Sequence, residues 1–235
     1  MSDLVRYTLA LADDALVAAQ RLAEWCTNAH EMEEDVALAN IALDQLGVAR
    51  LLLTYAGELE GEARDEDALA YLRDDREYRN CLLVELPNGD FAVTVAKLLF
   101  LSAYQRPLYE KLAAGDDERL AGIAAKAVKE SAYHLDHSAL WTVRLGDGTA
   151  ESHRRMQAAV DEVWPYTHEL FEGPRADLRE GWLSTVDGVL GSATLARPAD
   201  GWAPTGGREG RHTEELSYLL GEMQVLHRAH PGARW

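Results

Sequence analysis

Apolar residues recur along this chain at steps of three and four over long windows, and the strict alternation that marks half-buried strands is almost absent. The pattern predicts long helices over roughly 3–25, 31–60, 90–114, 117–145, 152–171, 176–195 and 211–229. Turn signals fall between these runs: Pro87-Asn88-Gly89-Asp90, Gly115-Asp116-Asp117 and Gly146-Asp147-Gly148-Thr149, several ending in a good helix N-cap. The chain therefore reads as an all-α helical bundle.

Two stretches interrupt the pattern. Residues 58–77 hold nine acids and three arginines, a net of −6, and read as an acidic, solvated connector between the second and third long helices. Residues 197–210 hold two prolines and four glycines, too many for a helix, and read as a surface loop before the last one. No repeat, low-complexity tract or shift of composition separates a second domain, so one helical domain over 1–235 is expected.

Charge then narrows the function classes. Lys plus Arg total 23 and Asp plus Glu total 40, a net charge of −17, which repels phosphate backbones and anionic lipid and argues against nucleic-acid binding. The start, Met1-Ser2-Asp3-Leu4-Val5-Arg6, carries an acid where a signal peptide carries bases, so a cytoplasmic location is expected. The longest strongly apolar stretch lies near Leu98 to Leu101, far short of the ~20 residues of a membrane span, and no membrane association is expected. Cys26 and Cys81 form no Cys-x-x-Cys or Cys/His cluster and read as small core residues.

Long helices raise the question of inward carboxylates and histidines, the ligands of di-iron bundles. Asp44 has Ala37, Asn40, Ile41, Gly47, Val48 and Leu51 at its helical neighbours, Asp13 has Leu9, Ala10, Leu16 and Val17, and Glu222 has Tyr218, Leu219, Val225 and Leu226. All three are expected to point inward. A buried acid must be protonated, paired or metal-bound. The stripe best able to answer them is Lys126, Glu130, Tyr133, His134 and His137. Metal-ligand spacing is nevertheless broken: after Glu130 the third position is Tyr133, with His134 one further on, and after Asp44 it is Gly47. The third long helix, Leu98-Leu99-Phe100-Leu101-Ser102-Ala103-Tyr104, offers no inward acid before Glu110. A buried ionic network that sets helix register is the favoured reading of these residues, beside a single metal at Glu130 and His134.

There is no Gly-x-Ser-x-Gly elbow, Walker A loop or dinucleotide fingerprint. Thr205-Gly206-Gly207-Arg208-Glu209-Gly210-Arg211-His212 could offer amides and two arginines to an anion at a helix entry, or serve only as a flexible entry. Arg73, Arg76 and Arg79 form a basic stripe beside Tyr78 and Asn80, able to meet a phosphate or to be neutralised by Asp74, Asp75 and Glu77.

Several segments resemble one known family. They are Tyr7-Thr8-Leu9 with Leu11-Ala12-Asp13, Arg21 to Cys26, Asp35 to Asp44, Val84-Glu85-Leu86-Pro87-Asn88-Gly89-Asp90-Phe91, Lys126 to His134, and Gly210-Arg211-His212-Thr213-Glu214-Glu215-Leu216 through Trp235. Nearly the whole chain is similar to the C subunits of bacterial phenylacetyl-CoA epoxidases, with a shorter helix connection between Glu172 and Trp182.

The resemblance implies a ferritin-like helical bundle with additional helices and a multicomponent oxygenase of phenylacetate degradation. In that family a related A subunit holds the di-iron centre and the C subunit is the non-catalytic structural partner, with no cofactor of its own. Asp13, Asp44, Gly47, Ser102, Glu130, Tyr133 and His134 would then be vestigial di-iron positions. The complex would use dioxygen and electrons from an NADPH-linked reductase. Phenylacetyl-CoA would lie at the subunit interface, with Arg76, Glu77, Tyr78, Arg79 and Asn80 as candidate contacts. A homo-oligomer is an option for the chain alone. The alternatives are a self-sufficient di-iron oxidase and a helical scaffold outside aromatic catabolism.

Overall fold

The computed structural model describes residues 2–233, which hold helices and no strand. The all-α, ferritin-like class read from the sequence holds. Contacts cluster the chain into two compact units, residues 1–87 with 206–235, and residues 88–205.

In the first unit α1 (Asp3–Ala23) packs along α2 (Met32–Glu60). Ser2 caps α1 by accepting from the Val5 amide at 3.3 Å, and Gly61 ends α2 with a left-handed φ of 69°. The acidic connector is solvated over most of its length, as its charge requires. It still folds α3 (Glu66–Tyr71) and a short 3-10 turn (Asp75–Glu77), and buries Leu69, Ala70 and Arg73. Next comes the single-turn α4 (Leu82–Glu85). The last helix, α9 (Glu214–Ala229), packs on α3.

The second unit holds α5 (Phe91–Ala113), α6 (Glu118–Gly146), α7 (Ala150–Val163) and α8 (Arg179–Ser192), the first three capped by Asp90, Asp117 and Thr149. The helix predicted over 152–171 stays α-helical only to Val163 and continues as 3-10 turns over Trp164–Phe171. Pro165 is the cause, since it removes an amide donor and its ring clashes with the preceding turn. The turns place Trp164 and Phe171 beside Trp182, with ring centroids 5.4 and 5.0 Å apart, and the Trp182 indole donates to the Phe100 carbonyl at 3.0 Å. This aromatic knot closes the short connection between Glu172 and Trp182.

Three expectations change. Cys81 is buried as expected, whereas Cys26, in the turn after α1, is exposed. By length and composition α2 is apolar enough to cross a bilayer, and 44% of its apolar window is buried inside the protein. Its small and polar residues interrupt any single apolar run and hide this from a stretch count. The loop over 197–210 is surface only in part, because Gly206, Gly207 and Arg208 are buried.

Candidate functional site

The chemistry of the first unit concentrates where α1 meets the segment from Arg73 to Glu85 and the entry of α9. Asp13 and Asp14 are adjacent on α1 and both buried, as is Glu85 of α4. Helical geometry sets adjacent side chains ~100° apart, so two neighbouring acids bury together only where a helix is covered on most of its circumference. Residues 8 to 19 of α1 are all buried.

Each acid has a cation of its own. The Arg73 guanidinium holds both oxygens of Asp13, one at 3.0 Å, and the Arg79 amide adds a bond of 2.8 Å. Arg208 binds Asp14 through both terminal nitrogens at 2.9 and 2.7 Å, and the Cys81 amide donates to the same carboxylate at 2.7 Å. His212 Nδ1 lies 2.5 Å from Glu85 Oε1, while Glu85 Oε2 accepts from the Thr213 amide and hydroxyl at 2.8 and 2.7 Å. Such two-pronged pairing is what the planar guanidinium is shaped for. Burial pulls the Arg73 guanidinium down, but the Asp13 charge and hydrogen bonds outweigh it and hold Arg73 above its ordinary value. Likewise burial lowers His212 and Glu85 more than offsets it, leaving the imidazole above its usual range.

These pairs clamp the residues between them. The Tyr78 ring lies 4.2 Å beneath the Arg73 guanidinium, its hydroxyl donates to the Ala70 carbonyl, and Gln224 of α9 donates to the Ala70 and Arg73 carbonyls at 3.0 Å each. Asn80 donates to Glu85 at 2.9 Å. Outside this clamp the turn from Asp74 to Glu77 faces α9 across a cavity of about 590 Å³, and Arg76 also borders one of about 440 Å³ with Arg211.

Among the candidate CoA contacts, the side chains of Tyr78 and Asn80 are fully buried within the unit. Arg73 is likewise absorbed by Asp13. Arg79 is half-buried, with one terminal nitrogen on the Arg76 and Tyr78 carbonyls at 2.7 and 2.6 Å. Burial, then the neighbouring Arg6, lower its basicity. Arg76 and Glu77 are exposed. Of the two arginines offered by the glycine-rich helix entry, Arg208 is spent on Asp14 and Arg211 is exposed.

The inward acids also sort themselves. Asp13 is buried as expected; Asp44 and Gly47 on α2 are half-buried. Glu222 is exposed, because α9 faces its unit through Leu216, Leu219, Leu220 and Gln224, leaving Tyr218, Val225 and Leu226 at 66, 61 and 55% exposure. In the second unit Ser102 is buried, donates to the Leu98 carbonyl at 2.6 Å and lies 3.3 Å from the Ser138 hydroxyl. Glu130 pairs with Lys126 at 3.3 Å, His134 is buried, and Tyr133 is turned outward at 53% exposure.

Sequence reasoning missed Asp14 and Glu85, and it offered Arg208 and His212 to an external anion rather than to these two acids. The visible signal was Asp14 itself, an acid amid the apolar positions of α1, but its partner lies 194 residues away. Among the described residues, no three His, Cys, Asp or Glu side chains are placed to hold a metal ion.

A family model described as phenylacetic acid catabolic protein matches residues 1–235. A curated relative, the C subunit of the 1,2-phenylacetyl-CoA epoxidase of Escherichia coli (strain K12), is 46% identical over 249 residues, covering all of both chains. Full-length matches of this kind extend the resemblance of the separate segments to the whole chain. The chain belongs to the phenylacetic acid catabolic protein family.

Proposed function

We propose that this chain is the non-catalytic structural subunit of an oxygenase complex that epoxidises the ring of phenylacetyl-CoA in aerobic phenylacetate catabolism. It pairs with a di-iron catalytic A subunit and helps to shape the CoA site of that subunit, in the cytoplasm. The iron and the supply of electrons, from an NADPH-linked reductase, belong to other subunits.

The observation that carries this reading is the state of Asp13. Both of its oxygens are held by Arg73, with the Arg79 amide added, so the buried carboxylate already has its countercharge and three hydrogen bonds without a metal. Gly47 and Tyr133 stand where a di-iron helix pair needs imidazoles. The residues present thus fit a register-setting ionic network better than a metal centre.

Metal analysis and co-purification test the reading together. The chain purified alone should be folded and metal-free after dialysis, and should be retained by the tagged A subunit. Two irons per chain surviving dialysis would establish the self-sufficient oxidase instead, and failure of the A subunit to retain the chain would favour a scaffold outside aromatic catabolism.

A further inference from the structure

The helix α2 is apolar on two sides and covered on one. Leu38, Ile41, Val48 and Leu52 are buried in the unit it shares with α1, yet Met32, Val36, Leu43 and Leu51 stand 79, 56, 63 and 40% exposed. At ~100° per residue these four fall within an arc of about 100°, and at ~1.5 Å per residue they run along about 29 Å of helix. Between Val36 and Ala49 the only ionisable side chain is Asp44, in a protein of which 27% is charged. A solvated helix face carries charge at most turns, and a helix apolar all round is normally buried all round. On the outward face of α2 charge returns only near the ends of the strip, at the exposed Glu33 and at Arg50, the latter paired with Glu66 at 2.6 Å.

We infer that this outward face of α2 is the docking surface for a different subunit of the same oxygenase, one that presents an apolar helix face with a neutral or basic rim. The inference rests on the preceding reading that the chain works within a complex. Charge selects the occupant. Two copies of this chain would each bring a net charge of −17 to the contact. A strip about 29 Å long and roughly 10 Å wide is well short of the ~800 Å² per partner that a stable interface buries, so copies would have to press further acidic surface together. A basic or neutral partner meets the same flanks with attraction. A lipid surface is the poorer match, since the adjoining segment 58–77 has a net charge of −6 and the other side of the helix is already buried.

Met32 supplies a probe that needs no mutation. Peroxide transfers one oxygen atom to an accessible thioether, giving the sulfoxide and water, and Met156, fully buried, serves as internal reference. The full chain, alone and in the complex assembled with its co-expressed A subunit and reductase, is treated with hydrogen peroxide and oxidation is read by peptide mass spectrometry. Oxidation of Met32 should be at least ~10-fold slower in the complex. In parallel Leu43→Glu should weaken retention of the chain by at least ~30-fold. Leu226→Glu, on the exposed side of α9, should leave it unchanged, both variants keeping the circular dichroism melt of the parent.

A complex that forms while Met32 oxidises at the free rate overturns the docking assignment and leaves the proposed function standing. The absence of any complex with the parent chain overturns both. Protection of Met32 in the isolated chain at rising concentration would assign the face to self-association, and flotation of the chain with neutral phosphatidylcholine vesicles would assign it to lipid; either result overturns the inference.

Discussion

Arg208 closes on both carboxylate oxygens of Asp14 across 194 residues of sequence, and both side chains are nearly free of solvent. The same guanidinium donates to the carbonyls of Ala10 and Arg79, so one side chain ties α1, the segment before α4 and the entry of α9 together. Arg208→Ala leaves Asp14 buried without its cation, at a cost of about 3 to 5 kcal/mol. At roughly 2 to 4 °C per kcal/mol for a chain of this size, Tm falls by at least about 6 °C. The Asp14→Ala/Arg208→Ala double variant should lose less than the sum of the singles, because the pair is a unit. Additive losses in thermal melts would show that the two side chains act separately.

Asp13 and Asp44, both read from the sequence as inward acids, should behave differently. Asp13→Asn strips the buried Arg73 of its countercharge and should cost about 3 to 5 kcal/mol. Asp44 is half-buried, and Asp44→Ala should stay within about 1 kcal/mol. Equal urea midpoints for the two variants would refute this ranking.

His212 faces two acceptors, the Glu85 carboxylate through Nδ1 and the Tyr78 carbonyl through Nε2 at 3.1 Å, an arrangement that favours the doubly protonated ring. Its folded pKa is raised above the unfolded value, chiefly by Glu85 working against burial. The resulting stability is fully present below about pH 6.5 and is lost as pH rises through the folded value. The stability advantage of the parent chain over His212→Gln should therefore shrink as pH is raised from about 6.5 upward. An advantage that grows or stays constant over that range would mean that the imidazole is neutral.

Arg76 is the one arginine of the basic stripe left exposed, beside two cavities. If it meets a CoA phosphate in the assembled oxygenase, Arg76→Ala should raise KM for phenylacetyl-CoA roughly 10-fold, equivalent to about 1.5 kcal/mol of a charged hydrogen bond, with kcat preserved. Arg79→Ala should instead lower the Tm, since its guanidinium bonds to the backbone carbonyls of the clamp. Steady-state kinetics at low salt decide the matter, and an unchanged KM returns Arg76 to the solvated surface.

The long helices were legible from periodicity alone, because an amphipathic helix writes its buried face into three- and four-residue steps and its caps into single residues such as Asp90 and Thr149. The same local code showed that Gly47 and Tyr133 break the metal-ligand spacing. Tertiary structure alone decided which face of each helix is covered. The apolar positions of α9 lie on more than one side, and packing on α3 chose the side with Leu216, Leu220 and Gln224, leaving Glu222 outside. It also decided the partners of the buried acids. A carboxylate taken out of water needs a cation, but nothing in Asp14 or Glu85 names which one, and the answers are Arg208, from a loop that local propensity reads as surface, and His212, from the entry of the last helix. Helix formation is a short-range property recorded within a few turns, whereas charge compensation is settled between segments that meet only when the chain has folded.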